Sequence, residues 1–394
     1  MTPFLPRDHA ELSDMAAQVI SDSSKTGGQM HPVTQQGLIS LLQIMNSYYS
    51  NLIEGHKTRP IDIEKAMHSD FSKNPSLQHL QLLSRVHIEV QKSVRQKLSE
   101  ASPDLFRPDF IQWIHQIFYE KLPSEFRVLY DKEKNQKIDI IPGGLRHHEV
   151  IVGNHLPPES GSLPLFLARF CEVYQPDHHH GTHKIIAAAA SHHRLVWIHP
   201  FSDGNGRVAR IYTDAFMDIS AIHGYGLWNI SRGFARGRDQ YMTALTWADA
   251  PRQGDLDGRG NLSEKGLILF CRFFLETCLD QTRFMSNLLQ VDGLIDRIRG
   301  YIELRQHKMI PDHKPVKREA AYLLEEALLR GMFPRGEAPR ITGLPERTAR
   351  NVLRDLIQDG LLISDTPKGA VRIGFPIHAV GYWFPDLFPQ HEMG

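Results

Sequence analysis

Cysteine is scarce in this chain. Only Cys171, Cys271 and Cys278 occur among 394 residues. Their spacing fits no disulfide framework, metal site or redox pair, so reduced core thiols in a cytoplasmic protein are expected. Neither sign of charge is in excess, with 45 Lys and Arg against 45 Asp and Glu. Bulk charge therefore offers no signal for nucleic acid or a membrane surface, and only a local patch could supply one. No apolar stretch reaches the roughly 20 residues of a spanning helix, so no membrane role is expected. The opening "MTPFLPRDHAELSDM" has no basic start leading into an apolar run, which argues against a secretion signal. Internal repeats and low-complexity linkers are also absent.

What is present is ordinary in bulk: 41% apolar and 23% charged residues over a length that suits two or three domains. Histidine is the exception, at 22. The clusters "HHHGTH" (178–183) and "SHHR" (191–194) lack accompanying Cys or carboxylate ligands, and adjacent helical residues point apart. They read as a polar loop and a helix face rather than a metal site.

The patterning predicts a mainly α protein. Helices are expected at 34–54 (Thr34 capping, Gly55 ending), within 61–98, and at 108–122, 163–175, 182–197, 207–222, 237–249 and 263–289. Between them, "KIDIIPGGLRHHEVIVGNHLPP" (137–158) has β-branched runs around Pro142-Gly143-Gly144 and predicts a hairpin. From about 315 the order is helix, short helix, turn, helix and two strands. Ala349, Val352, Leu353, Leu356 and Ile357 share one helix face there, and Gly360 is a natural stop. This predicts a helix-turn-helix with a β-wing. The expected regions are 1–105 (N-terminal helices), 106–290 (core) and 291–394 (winged domain and tail).

The densest chemistry lies in "HPFSDGNGRVAR" (199–210). Asp203-Gly204-Asn205-Gly206 can fold as a tight turn leading into a helix near Arg207. Its N–H groups would then converge beside the positive end of the helix dipole, which is a nest for anions and especially phosphates. Arg207 and Arg210 add charge at i, i+3 spacing. Asp203 beside a phosphate nest suits Mg²⁺, which takes one or two carboxylates plus phosphate oxygens. His199 is the nearby group that titrates near neutrality and is the candidate general base. Phe201 anchors the loop to the core.

This stretch resembles the signature of the Fic (fido) family, H-P-F-x-D-G-N-G-R-x-x-R, at all nine defined positions. The resemblance extends over about 34–290. It implies a helical Fic core with a β-hairpin flap, and transfer of AMP from ATP to a Ser, Thr or Tyr hydroxyl of a target protein. By the same resemblance His199 is the base, Asp203 holds Mg²⁺, and Gly204, Asn205 and Gly206 form the anion hole. Arg207 would steady the β-phosphate and Arg210 the γ-phosphate. Doc kinases carry Lys where this chain has Gly206, which favours AMP transfer over phosphate transfer. Phosphocholine transfer, known in the family, stays open.

A second motif, "SNLIEG" (50–55), fits the family's inhibitory pattern [S/T]-x-x-x-E-[G/N]. Ser50 and Glu54 share a helix face at i, i+4. As a bare sequence Glu54 is a solvated carboxylate, poorly placed at a helix C-terminus, where cations are favoured. The resemblance implies that it pairs with Arg210 and blocks the γ-phosphate space, in the class with an N-terminal inhibitory helix. In some relatives the same Glu supports AMP removal, so a de-AMPylase or a bifunctional enzyme remains an alternative. "GGLRHHEVIVG" (143–153) resembles the flap, with Leu145, Val150 and Ile151 as edge residues for an extended target segment. Tyr241 is a candidate neighbour of the adenosine.

The C-terminal module carries six arginines between 330 and 354 against Glu337 and Glu346. Duplex DNA through 335–375, a protein contact and a homodimer are all open readings, as is self-modification. A DNA-binding regulator with a nucleotide-sensing core is the alternative from another class. The aromatic tail "GYWFPDLFPQ" (381–390) is expected to pack back on the domain.

Overall fold

Proline opens much of the helical frame. Its missing N–H is no loss in a first turn and its φ suits one. It stands first in α2 (Pro32–Ile53), α3 (Pro60–Met67), α4 (Pro75–Glu100) and α5 (Pro108–Glu120), which follow α1 (Ala10–Gly28). Asn74 caps α4 by accepting from the N–H groups of Ser76 and Leu77. The computed structural model describes residues 1–7, 9–100, 106–131, 136–220 and 222–389. The boundary expected at 105 lies outside them.

The chain continues through α6 (Leu163–Val173), α7 (Thr182–Ile198), α8 (Asn205–Ile219), α9 (Ile230–Arg236), α10 (Arg238–Asp249), α11 (Glu264–Leu288) and α12 (Val291–Gln306). The architecture is mainly α, with one core running through these helices. At its centre α7 and α8 pack closely, because Ala187, Ala188, Ala189 and Ala190 are all fully buried and present little bulk. Two of the three histidines of α7, His192 and His193, are used in this core. His192 bonds Thr213 and Tyr241, and His193 bonds Asp249 and the Leu245 carbonyl. All three cysteines are buried. Burial pushes the Cys171 and Cys271 thiols up to about 12, so they stay protonated.

Two expectations are corrected. The cap of α2 is His31, whose Nδ1 accepts from Val33 N–H, because the helix begins two residues earlier than Thr34. The hairpin is displaced upstream. β1 (Val128–Asp131) pairs antiparallel with β2 (Gln136–Asp139), while Pro142-Gly143-Gly144 makes only a turn. Residues 143–151 run as coil and turn, followed by a single bridge between Val152 and His155. The reason is Arg146. Its buried guanidinium donates to the carbonyls of His199, His148 and Pro158, so the segment is tied to the core by a side chain and not by a strand ladder.

The C-terminal module consists of α13 (Ala320–Arg330), α14 (Ala338–Thr342), α15 (Glu346–Gln358), a two-stranded hairpin of β3 (Leu362–Ile363) and β4 (Arg372–Ile373), and α16 (Ile377–Trp383). Ala349, Val352, Leu353 and Leu356 are the buried face of α15. In the tail, Trp383, Phe384 and Phe388 are buried while Tyr382 stays exposed; Gln390 lies outside the described residues. Among the described residues, no helix is long and apolar enough to cross a membrane.

Candidate functional site

The site sits where α7 ends and α8 begins. α7 closes on His199, a non-glycine residue in the left-handed region (φ 48°, ψ 60°). That costly conformation is held from two sides. His199 N–H donates to the Leu195 carbonyl, and the His199 carbonyl accepts from Arg146 Nε at 2.9 Å. Asn205 then staples the turn: its Oδ1 accepts from Phe201 N–H and its Nδ2 donates to the Phe201 carbonyl. Gly204 (φ 78°) passes over the Tyr119 ring, which a Cβ would approach to 3.1 Å. The first internal bond of α8 is Val208 N–H to the Gly204 carbonyl. The N–H groups of Asn205, Gly206 and Arg207 therefore have no partner inside the helix and form its anion-seeking end.

The charged side chains arrange themselves around that end. Asp203 Oδ2 accepts from Tyr119 Oη at 2.6 Å and from Arg207 Nη2 at 3.1 Å. Burial opposes ionisation of Asp203, but Arg207 and these hydrogen bonds outweigh it and hold the carboxyl below its usual range. Arg207 is buried over the Phe118 ring, and its Nε and Nη1 have no hydrogen-bond partner. An unpaired buried guanidinium edge is costly and fits an anion.

Glu54 fills the remaining space. Gly55, left-handed at φ 84°, ends α2 and leaves Glu54 at its C-cap. From there Glu54 Oε1 accepts from Arg210 Nη2 at 2.6 Å. Arg210 is also held by Ser50, donating from Nε to Ser50 Oγ at 2.9 Å and from Nη2 to the Ser50 carbonyl at 3.1 Å. Burial pushes the Glu54 carboxyl up, yet Arg210 and Arg207 together bring it below its ordinary value, so it is an anion. Its oxygen lies where a Cβ on Gly206 would come within 2.4 Å. The carboxylate thus sits beside Gly206 in the first turn of α8 and on the Arg210 guanidinium.

His199 is mostly buried, with Nδ1 unpartnered. Burial, and secondarily the charge of Arg146, pull it down to about 4, so the imidazole is neutral and able to accept a proton at neutral pH.

Tyr241 is not at an open nucleotide face. It is 2% exposed, stacks on Phe234 at 4.3 Å and bonds His192 through its hydroxyl, so it is core beneath Arg210. Leu145 and Val150 are half-buried in coil, and Ile151 stands out at 76% exposure. Val152, Leu156, Trp197, Met242 and Leu245 line a groove of about 650 Å³ beside this loop. Four of the six C-terminal arginines are spent locally: Arg330 and Arg340 on Glu326 and Glu337, Arg350 on Glu346, and Arg354 on Asp355.

Three site residues carry no sequence signal of their own. Tyr119 reads as core on an apolar helix, Arg146 reads as a loop cation, and His115 stacks on Phe201 at 4.0 Å while accepting from Gly143 N–H. Burial raises the Tyr119 hydroxyl far above its usual range, so it remains a donor to Asp203. Tyr119→Phe keeps the ring under Gly204 and removes that donor. It is expected to cost about 1.5–3 kcal/mol in urea unfolding, as for a hydrogen bond to a charged group. A change of a few tenths would show that the bond does not hold Asp203.

Comparison with known proteins matches residues 105–217 to the Fic/DOC family. The protein adenylyltransferase Fic of Drosophila ananassae is 41% identical over 81 residues, covering 20% of this chain and 16% of that protein. That of Drosophila virilis is 40% identical over 81 residues, 20% of this chain and 17% of that protein. The match thus spans about a sixth of the length of these curated relatives. Among solved structures, a Fic family protein from Desulfovibrio desulfuricans superposes with a TM-score of 0.51 at 14% identity, over 94% of this chain and 98% of that one. Fic-1 of C. elegans (residues 134–508) gives 0.50 at 15% identity, over 72% and 74%.

Proposed function

We propose, from the match of residues 105–217 to the Fic/DOC family, that this chain transfers AMP from ATP to a hydroxyl of a protein target, under restraint by its own Glu54. The observation that carries the reading is the Glu54 carboxylate lying against Gly206 and Arg210. An internal anion occupies the seat that a nucleotide phosphate would take.

The chemistry follows from the residues around that seat. The polyphosphate lies across the N–H groups of Asn205, Gly206 and Arg207, with the Arg207 and Arg210 side chains matching its charge. His199 takes the proton from the target hydroxyl. The hydroxyl oxygen forms a bond to the α-phosphorus, the bond from that phosphorus to the β-bridging oxygen breaks, and pyrophosphate leaves. Because His199 is already neutral, no prior deprotonation is needed at pH 7.

The residues fit Mg²⁺. Asp203 is ionised and 41% exposed, and its side-chain hydrogen bonds from Tyr119 and Arg207 both go to Oδ2. One carboxylate next to a phosphate nest suits an ion that otherwise binds phosphates and water, and the ion would neutralise charge on the polyphosphate. The groove beside Ile151 and Leu156 is where an extended target segment would lie, seated by side-chain contacts since the neighbouring loop has no strand edge.

The position of the label tests the reaction. The Glu54→Gly variant incubated with ATP labelled at the α-phosphate is expected to label protein, and ATP labelled at the γ-phosphate is expected not to. Transfer of the γ-label alone would make the activity that of a kinase.

A further inference from the structure

The face of α2 turned away from Arg210 is covered by the C-terminal module. Thr34 Oγ1 donates to the Leu328 carbonyl at 3.1 Å, and a Cβ on Gly37 would meet the Phe375 ring at 3.0 Å. Further along, the Phe388 ring meets Tyr48 edge-on at 5.5 Å and stacks on Tyr49 at 6.3 Å. Tyr49 Oη donates to the Leu387 carbonyl at 3.0 Å. At about 100° per residue, positions 34, 37 and 48 fall on one stripe, with 49 at its edge. Ser50 and Glu54 fall on the opposite side. Helix α2 is therefore held between the module and Arg210.

The same module grips the surroundings of Glu54. The Asp386 carbonyl accepts from Arg232 Nη2 on α9 at 2.9 Å, and Ile377 N–H donates to Glu64 on α3 at 2.9 Å. The inner side of α2 is polar by contrast. Asn46, Ser47, Ser50 and Asn51 are buried there, and the Oδ1 atoms of Asn46 and Asn51 have no partner. That side is held by hydrogen bonds, from Asn46 to Gln91 and Asp214 and from Ser47 to the Ser84 carbonyl, with the two acceptors left over. The apolar hold on this helix near Glu54 comes in part from the tail.

We infer that the C-terminal module is the backing of the inhibitory helix: residues 384–388 press α2 toward Arg210 and so set how firmly Glu54 closes the anion seat. This rests on the reading that Glu54 competes with a nucleotide phosphate. It assigns the module a task inside the chain, at the turn of α2 that carries Ser50.

The test uses the full chain with Phe388→Ala and, as a variant that keeps the packing, Tyr49→Phe. Three quantities are read: amide exchange over residues 47–54, affinity for ATP with Mg²⁺, and protein labelling from α-labelled ATP. Phe388→Ala is expected to speed exchange in that segment and to raise both affinity and labelling at least about fivefold, within the usual range of coupling between sites. Tyr49→Phe should move all three the same way by a smaller factor. Added to Glu54→Gly, neither change should raise labelling further, because the carboxylate they help to hold is gone. Wild-type exchange and affinity in both variants would overturn the inference, and so would equal activation on top of Glu54→Gly. Should Phe388→Ala unfold, Tyr49→Phe decides alone. If Glu54→Gly labels nothing, the AMP reading falls, while exchange and ATP affinity still decide whether the module backs α2.

Discussion

Glu54→Gly is expected to raise protein labelling from α-labelled ATP by about 10–100-fold over the unaltered chain, in line with coupling free energies of 1–3 kcal/mol. The reason lies in what remains after the change. Arg210 keeps its two bonds to Ser50, through Nε and Nη2, and so stays in position with the Nη2 contact to residue 54 released. Arg207 Nε and Nη1 are unpaired already. Removing the carboxylate leaves two buried cations facing an empty seat, and a polyphosphate relieves both. Residue 54 is at the C-cap of α2 with φ −80°, where glycine fits without strain. Equal labelling by Glu54→Gly and the unaltered chain would mean that the Glu54–Arg210 pair is a structural ion pair only.

His199→Ala in the Glu54→Gly background is expected to lower the rate by about 10²–10⁴, the range for loss of a positioned acid–base group. ATP affinity should change little, since the phosphate seat is built from backbone groups and arginines. Loss of ATP binding together with activity would instead make His199 a support for the loop. The pH profile gives an independent check. Burial depresses the pKa of His199 to about 4, so its basic form is present above that value and is lost as pH falls through it. The acid limb of the rate should therefore stay flat well below pH 6. A limb with its midpoint at about 6.5 would indicate an ordinary solvated histidine and remove the buried-base assignment.

Several parts of this arrangement are legible one segment at a time. The turn 203–206, the helix behind it and the i, i+3 arginines follow from local rules, since glycine placement and helical spacing act over a few residues. The i, i+4 relation of Ser50 and Glu54 is of the same kind. Strand placement was less legible. The β-branched run at 137–158 has the composition of a hairpin, but the long-range bonds of Arg146 hold its second half as coil, and the strands form upstream. Likewise the excess of arginine at 330–354 is partly offset on folding, because neighbouring turns bring Glu326 and Glu337 to Arg330 and Arg340.

By itself, then, the order of residues determined the helical class, the glycine turn at a helix start, its candidate base and the presence of an acidic helix end. Tertiary packing decided which groups meet. It brought Glu54 to Arg210 across 156 positions, put Tyr119 beneath Asp203, turned Tyr241 into core and laid Phe388 against Tyr49. The physical reason is one of range. Backbone angles and helical periodicity are set by neighbours along the chain, whereas the partner of a buried charge or ring is chosen by how whole helices pack, and no local spacing encodes that choice.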